Sequence, residues 1–120
     1  MLLIDDEDSC IVSTKLMLEG GGYDVETVSS GKEALIVLKE KFKDISVILL
    51  DLMLPDISGV EIMKKIASSP KLRKIPVIIQ TGVSENQEIS SAMSEGAVSC
   101  LRKPYSYKVM NKQIKSAIGA

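Results

Sequence analysis

The stretch Val47-Ile48-Leu49-Leu50-Asp51-Leu52-Met53-Leu54-Pro55-Asp56-Ile57-Ser58-Gly59 decides how this chain folds. Its opening from Val47 to Leu50 is an unbroken apolar run, the reading of a strand buried on both faces of a parallel sheet. The run closes on Asp51. Beyond it Pro55 cannot donate to a ladder, and Gly59 accepts backbone angles that other residues resist, so the chain is handed to a loop. Asp51 is thereby predicted at a strand's exit. There a carboxylate is either a simple terminator or the reactive group of a site outside the carboxyl end of a sheet.

Working outward, the chain alternates short apolar runs with amphipathic stretches. Met1 to Ile4 reads as a strand, and Asp8 or Ser9 can cap a helix that runs to about Gly20, where three successive glycines end it. Asp24 to Val28 reads as a second strand. Ser30 with Glu33 forms a capping-box pattern before a helix through Ala34, Leu35 and Leu38 to roughly Lys41. Past Gly59, the stripe of Val60, Ile62, Met63, Ile66 and Ala67 predicts a third helix, stopped by Ser68-Ser69-Pro70 because the residue before a proline avoids the α region. Val77 to Thr81 is the fourth strand. Ser84 with Gln87 is a second capping-box pattern, opening a helix whose buried stripe is Ile89, Ala92 and Met93 and whose end is near Gly96. Val98 to Arg102 is the fifth strand, and Val109, Met110, Ile114 and Ala117 give helical spacing from about Ser106 to Ala117.

Five βα units of about 20 to 25 residues, without repeats or a low-complexity linker, predict an α/β domain on one parallel sheet. With 120 residues and 13.0 kDa, residues 1–120 are read as one domain. The balance of 15 basic and 16 acidic residues supports neither direct nucleic-acid binding nor an acidic disordered tail. The apolar opening stops at Asp5, and no run approaches the ~20 apolar residues of a membrane span, so a cytoplasmic protein is expected. Cys10 and Cys100 lack metal-like spacing and read as free buried thiols. Histidine is absent, which removes histidine-ligated zinc, imidazole-dependent triads and a phosphohistidine on this chain.

Right-handed crossovers put every strand's carboxyl end on the same edge of such a sheet. The residues just past strands one, three, four and five then meet: Asp5 and Asp6, Asp51, Thr81 and Lys103. Taken singly each has a bland reading. The acidic run from Asp5 to Asp8 is a solvated helix start favoured by the macrodipole, Thr81 a β-branched strand residue, and Lys103-Pro104 a turn. Jointly they point to chemistry. Crowded carboxylates raise one another's pKa unless a cation intervenes, and Mg²⁺ commonly sits between carboxylates and a phosphate. Phosphoryl transfer asks for positioning and for neutralised oxygens, which a metal, an ammonium and a hydroxyl supply, and a carboxylate can itself be the nucleophile.

The pattern Asp5-Asp6, Asp51 followed by Leu54-Pro55 and Gly59, then Thr81-Gly82 and Lys103-Pro104, resembles the receiver domain of two-component response regulators across essentially the whole chain. The resemblance implies a flavodoxin-like (βα)5 three-layer sandwich with the sheet order 2-1-3-4-5, as in a chemotaxis receiver. It implies that Asp51 takes a phosphoryl group from the phosphohistidine of a partner histidine kinase or phosphotransfer protein, and that the domain catalyses only its own phosphorylation and dephosphorylation. Asp6 and Asp51 would bind Mg²⁺ directly, Asp5 through water, and Met53 through its backbone carbonyl. Lys103 would pair with the phosphoryl group and Asp51, Thr81 would hydrogen-bond a phosphoryl oxygen, and the Lys103-Pro104 bond would be cis. The face of the fourth helix, fifth strand and fifth helix would then control an output partner or domain.

The chain departs from the family at three places. Cys100 stands where relatives carry an aromatic ring, so the switch at Thr81 and Cys100 is expected to move the loop from Gly82 to Asn86 and the start of the fourth helix, with the fifth strand nearly still. Val98-Ser99 replaces an acidic pair, so the ion-paired dimer of relatives is not expected. Only four residues precede Asp5, a short first strand that suggests trimming, and no output module follows the fifth helix, which leaves a stand-alone regulator and a piece of a longer protein both open. Three other readings fit less well. A haloacid-dehalogenase-type enzyme wants a second acid where Met53 stands, a dinucleotide module would need glycines where Asp5-Asp6-Glu7 repels a pyrophosphate, and a pseudo-receiver usually loses a site residue that this chain keeps.

Overall fold

The computed structural model describes residues 1–82 and 86–119. Its elements follow in the order β1 (Leu2–Ile4), α1 (Asp8–Gly20), β2 (Glu26–Val28), α2 (Gly31–Lys41), β3 (Ile48–Asp51), α3 (Gly59–Ala67), β4 (Val77–Thr81), α4 (Asn86–Ser94), β5 (Ser99–Arg102) and α5 (Tyr107–Ala117), with a 3₁₀ turn at Phe42–Asp44 that the sequence reading did not anticipate. All strand pairs are parallel and the sheet order is β2-β1-β3-β4-β5. This is the flavodoxin-like arrangement expected.

Alternation along the strands sorts the core into two layers. Leu2, Ile4, Ile48, Leu50, Val77 and Ile79 face α2, α3 and α4. Leu3, Leu49, Ile78 and Leu101 face α1 and α5, meeting Leu18, Met110 and Ile114. Every residue of β1, β3 and β4 is buried, which is why these strands read as continuous apolar runs rather than as alternating ones. The chain leaves β1 for β2 on one side and later enters β3 on the other. Between β1 and β3 lies the switch point, where crevices open beyond the strands' carboxyl ends.

Several local expectations are corrected. Neither Asp8 nor Ser9 caps α1, since the helix begins at Asp8 and Glu7 holds the capping position without a side-chain bond. The turn is made instead by Asp5, whose Oδ1 accepts the Glu7 N–H at 3.0 Å, an aspartate bonding the backbone two residues on. Strand β2 starts at Glu26 rather than Asp24, because its ladder with β1 opens opposite Leu2; ahead of it the Met1 ammonium, not a strand residue, donates to the Asp24 carbonyl at 3.0 Å. Strand β5 starts at Ser99 rather than Val98. Met93, expected in a buried stripe, is exposed, and both cysteines are free but only half-buried. The Ser30 and Glu33 pattern forms half of its box: Ser30 Oγ accepts the Glu33 N–H, but the Glu33 carboxylate accepts from Ser29, one residue before the capping position. The Ser84 and Gln87 pattern lies partly outside the described residues.

Candidate functional site

Asp5 follows β1 and Asp51 ends β3, neighbouring strands at the switch point, so both carboxylates arrive at one crevice. Both are buried, whereas Asp6 is exposed at the rim. One carboxylate oxygen from each of Asp5, Asp6 and Asp51 lies within 4.8 Å of the others. Lys103 comes in from beyond β5. Its Nζ donates to Asp5 Oδ2 at 2.8 Å and to Asp51 Oδ2 at 3.1 Å, so one ammonium bridges the two buried acids. The Lys103-Pro104 bond is cis, and the Lys103 N–H donates to the Thr81 carbonyl at 2.7 Å. Met53 turns its N–H onto Asp51 Oδ1 at 2.9 Å and its side chain out to solvent.

Burial is the main force on the Asp51 carboxyl and pushes its pKa up to about 6. The Met53 N–H and the Lys103 charge pull the other way, and the Asp5 charge adds to the rise. For Lys103 burial alone would lower the ammonium, but the bond to Asp5 and the Asp51 charge outweigh it and hold it above the usual lysine range. Three carboxylates against one ammonium leave two net negative charges in a small volume, which is the charge a divalent cation cancels. An all-oxygen donor set with no thiolate or imidazole suits Mg²⁺.

A family model described as the response regulator receiver domain matches residues 1–115. The chain belongs to that family. Among curated relatives of this receiver domain, the phosphate regulon transcriptional regulatory protein PhoB of Rhizobium meliloti is 30% identical over 116 residues, covering 97% of this chain and 50% of that protein. The response regulator receiver domain protein of Clostridium thermocellum superposes with a TM-score of 0.91 at 35% identity, covering 98% of this chain and 92% of that one. The receiver domain of sensor histidine kinase PA1611 from Pseudomonas aeruginosa PAO1, solved with a magnesium ion coordinated in its active-site cleft, superposes with a TM-score of 0.89 at 24% identity over 99% of this chain and 96% of that one, a likeness of fold. The receiver domain spans about half the length of the curated relatives it matches.

Of the residues singled out in the sequence, Asp5, Asp6, Asp51 and Lys103 converge in this receiver domain as described. Thr81 is buried at the end of β4. By strand alternation it shares the side of Ile79, toward α3 and α4, and Cys100 packs against the same layer from its place opposite Ile79. Burial raises the Cys100 thiol, with the Arg102 charge opposing. Val83, in the loop expected to move, lies outside the described residues. The contact of Lys103 with Asp5 was not anticipated, nor were two further polar residues. Gln80 is buried inside β4 and Tyr105 follows Pro104, and the Tyr105 hydroxyl donates to Gln80 Oε1 at 2.6 Å. The available signal was a lone amide in the apolar run Val77-Ile78-Ile79.

Proposed function

We propose that residues 1–120 act as one phosphoacceptor unit in which Asp51 takes a phosphoryl group from the phosphohistidine of a partner histidine kinase or phosphotransfer protein. The observation that carries this reading is the Lys103 ammonium bridging the buried carboxylates of Asp5 and Asp51 at the sheet's carboxyl edge. An Asp51 oxygen attacks phosphorus, the phosphorus–nitrogen bond to the donor imidazole breaks, and that electron pair leaves with the imidazole. Lys103 already sits on Asp51 and meets the charge of the incoming oxygens, and the Met53 N–H on Oδ1 fixes the plane of the carboxylate. The Thr81 hydroxyl is the third partner for a phosphoryl oxygen. Asp6, Asp51 and the Met53 carbonyl would hold Mg²⁺ directly and Asp5 through water. Bound there, the ion supplies neutralisation of phosphoryl charge.

The output is carried by α4, β5 and α5, with Thr81 and Cys100 beneath that face, toward a partner or an attached domain. The same pocket catalyses loss of the phosphoryl group to water. In the test, acetyl phosphate with Mg²⁺ adds one phosphoryl mass to the protein, and Asp51→Asn or excess chelator removes the gain. A label that persists in Asp51→Asn would falsify the assignment of the acceptor.

A further inference from the structure

Gln80 has 0% of its surface exposed, in a strand whose preceding residues are Val77, Ile78 and Ile79. A buried carboxamide without partners is costly, so its bonds reveal its use. Nε2 donates to Asp5 Oδ2 at 3.3 Å, and Oε1 accepts from the Tyr105 hydroxyl at 2.6 Å. The amide cannot be reversed. An ionised Asp5 only accepts, so the nitrogen must face it and the oxygen must face Tyr105. The Tyr105 proton is committed to Gln80, and burial raises the phenol with Thr14 of α1 opposing. A directed chain of donors thus runs from Tyr105, in the loop after β5, through the interior of β4 to Asp5.

We propose that Gln80, oriented by Tyr105, is a positioning residue that keeps the Asp5 carboxylate in place when Lys103 leaves it for the phosphoryl group on Asp51. This rests on the phosphoacceptor reading above. Asp5 Oδ2 is shared by Lys103 at 2.8 Å and Gln80 at 3.3 Å, while Oδ1 keeps the Glu7 N–H at 3.0 Å. Lys103 also reaches Asp51, and phosphoryl oxygens placed there offer it a denser negative charge than Asp5 does. Its departure strips the buried Oδ2 of its shorter bond. The Gln80 contact is longer than an ordinary N–H···O bond, so it has slack to shorten. The short Tyr105 bond prevents the amide from turning away. Metal binding alone leaves Lys103 on Asp5 and draws little on Gln80.

The experiment compares two ligands on the full chain: Mg²⁺ alone, by titration calorimetry, and beryllofluoride at saturating Mg²⁺, by fluorine NMR. Gln80→Met keeps the volume and removes both bonds. It is expected to change the Mg²⁺ Kd by less than about twofold and to weaken beryllofluoride about tenfold, the worth of one hydrogen bond to a charged acceptor. Tyr105→Phe should lose about threefold for beryllofluoride only, and the double variant should be no worse than Gln80→Met, as for residues acting in series. Equal losses for both ligands, additive losses, or no loss for beryllofluoride overturn the proposal. If Gln80→Met does not fold, Tyr105→Phe decides by the same comparison. If the unaltered protein takes up no beryllofluoride, or Asp51→Asn takes it up equally, the acceptor reading itself fails and the positioning role falls with it.

Discussion

The carboxylate of Asp51 works against its surroundings, and that conflict sets its pH behaviour. With a pKa of about 6, half of it is protonated and non-nucleophilic at that pH. Phosphorylation by acetyl phosphate in limiting Mg²⁺ is expected to fall about tenfold from pH 7 to pH 5, as followed by mass spectrometry. Stability follows the opposite sense. The unfolded value is about 3.9, so the ionised folded form is a destabilising load that is full at pH 7, lifts as pH falls through 6 and is gone near 4. Asp51→Asn should therefore raise Tm by a few degrees at pH 7 without metal and give no gain near pH 4. A gain constant across that range would mean that burial of the charge is not its source. Met53 bears on lifetime, because its exposed side chain at the site's mouth cannot orient a water by hydrogen bonds. Met53→Asn is expected to speed loss of the phosphoryl group several-fold, read as decay of the labelled protein after donor removal. At this scale Asp5, Asp6, Asp51, Thr81 and Lys103 were legible because each ends a strand or follows one within two residues. Gln80 was not, because its meaning lies in partners 75 residues before it and 25 after it.

Two elements are fastened to each other by the loop that carries the acceptor. Asp56 accepts the Gly31 and Lys32 N–H groups at 2.8 and 3.0 Å, capping α2 from across the fold, and those bonds hold its carboxyl below the usual range. Asp56→Ala should lower Tm by several degrees at pH 7, and acidifying the unaltered protein through the lower carboxylate range should reproduce part of that loss. Gly59 allows the loop to close: a Cβ there would stand 2.6 Å from Leu52 Cα and 3.0 Å from the Asp51 carbonyl oxygen. Gly59→Ala should cost ~1–3 kcal/mol in denaturant unfolding, since backbone rather than a flexible side chain must give way. Element types were legible because buried strands and capped helices carry local signatures, as at Ser30 with Glu33. Strand ends at Glu26 and Ser99 were not, because a strand's length is set by its neighbour. The exposure of Met93 was missed for a related reason. Helical spacing marks a stripe, but its outer edge is fixed by what packs on it.

Across the molecule, Thr81 and Cys100 both face the layer that contains α4, so on the phosphoacceptor reading a rearrangement at Asp51 is expected to reach that helix first. A ligand shifts a two-state equilibrium only by its different affinity for the two states. Cys100 offers little apolar area with which β5 could bias either state. Hydrogen exchange on addition of beryllofluoride is expected to change most at the amides of α4 and least along β5. A change of equal size at Cys100, abolished by Cys100→Ala, would make the thiol the switch. The bridge from Lys103 to Asp5 spans 98 positions of sequence. During synthesis the first acid of the pocket leaves the ribosome before any helix and its lysine only after all five strands. A message broken before the codon for Lys103 would therefore yield the carboxylates without the ammonium that bridges two of them, and such a fragment is expected to take no phosphoryl group from acetyl phosphate.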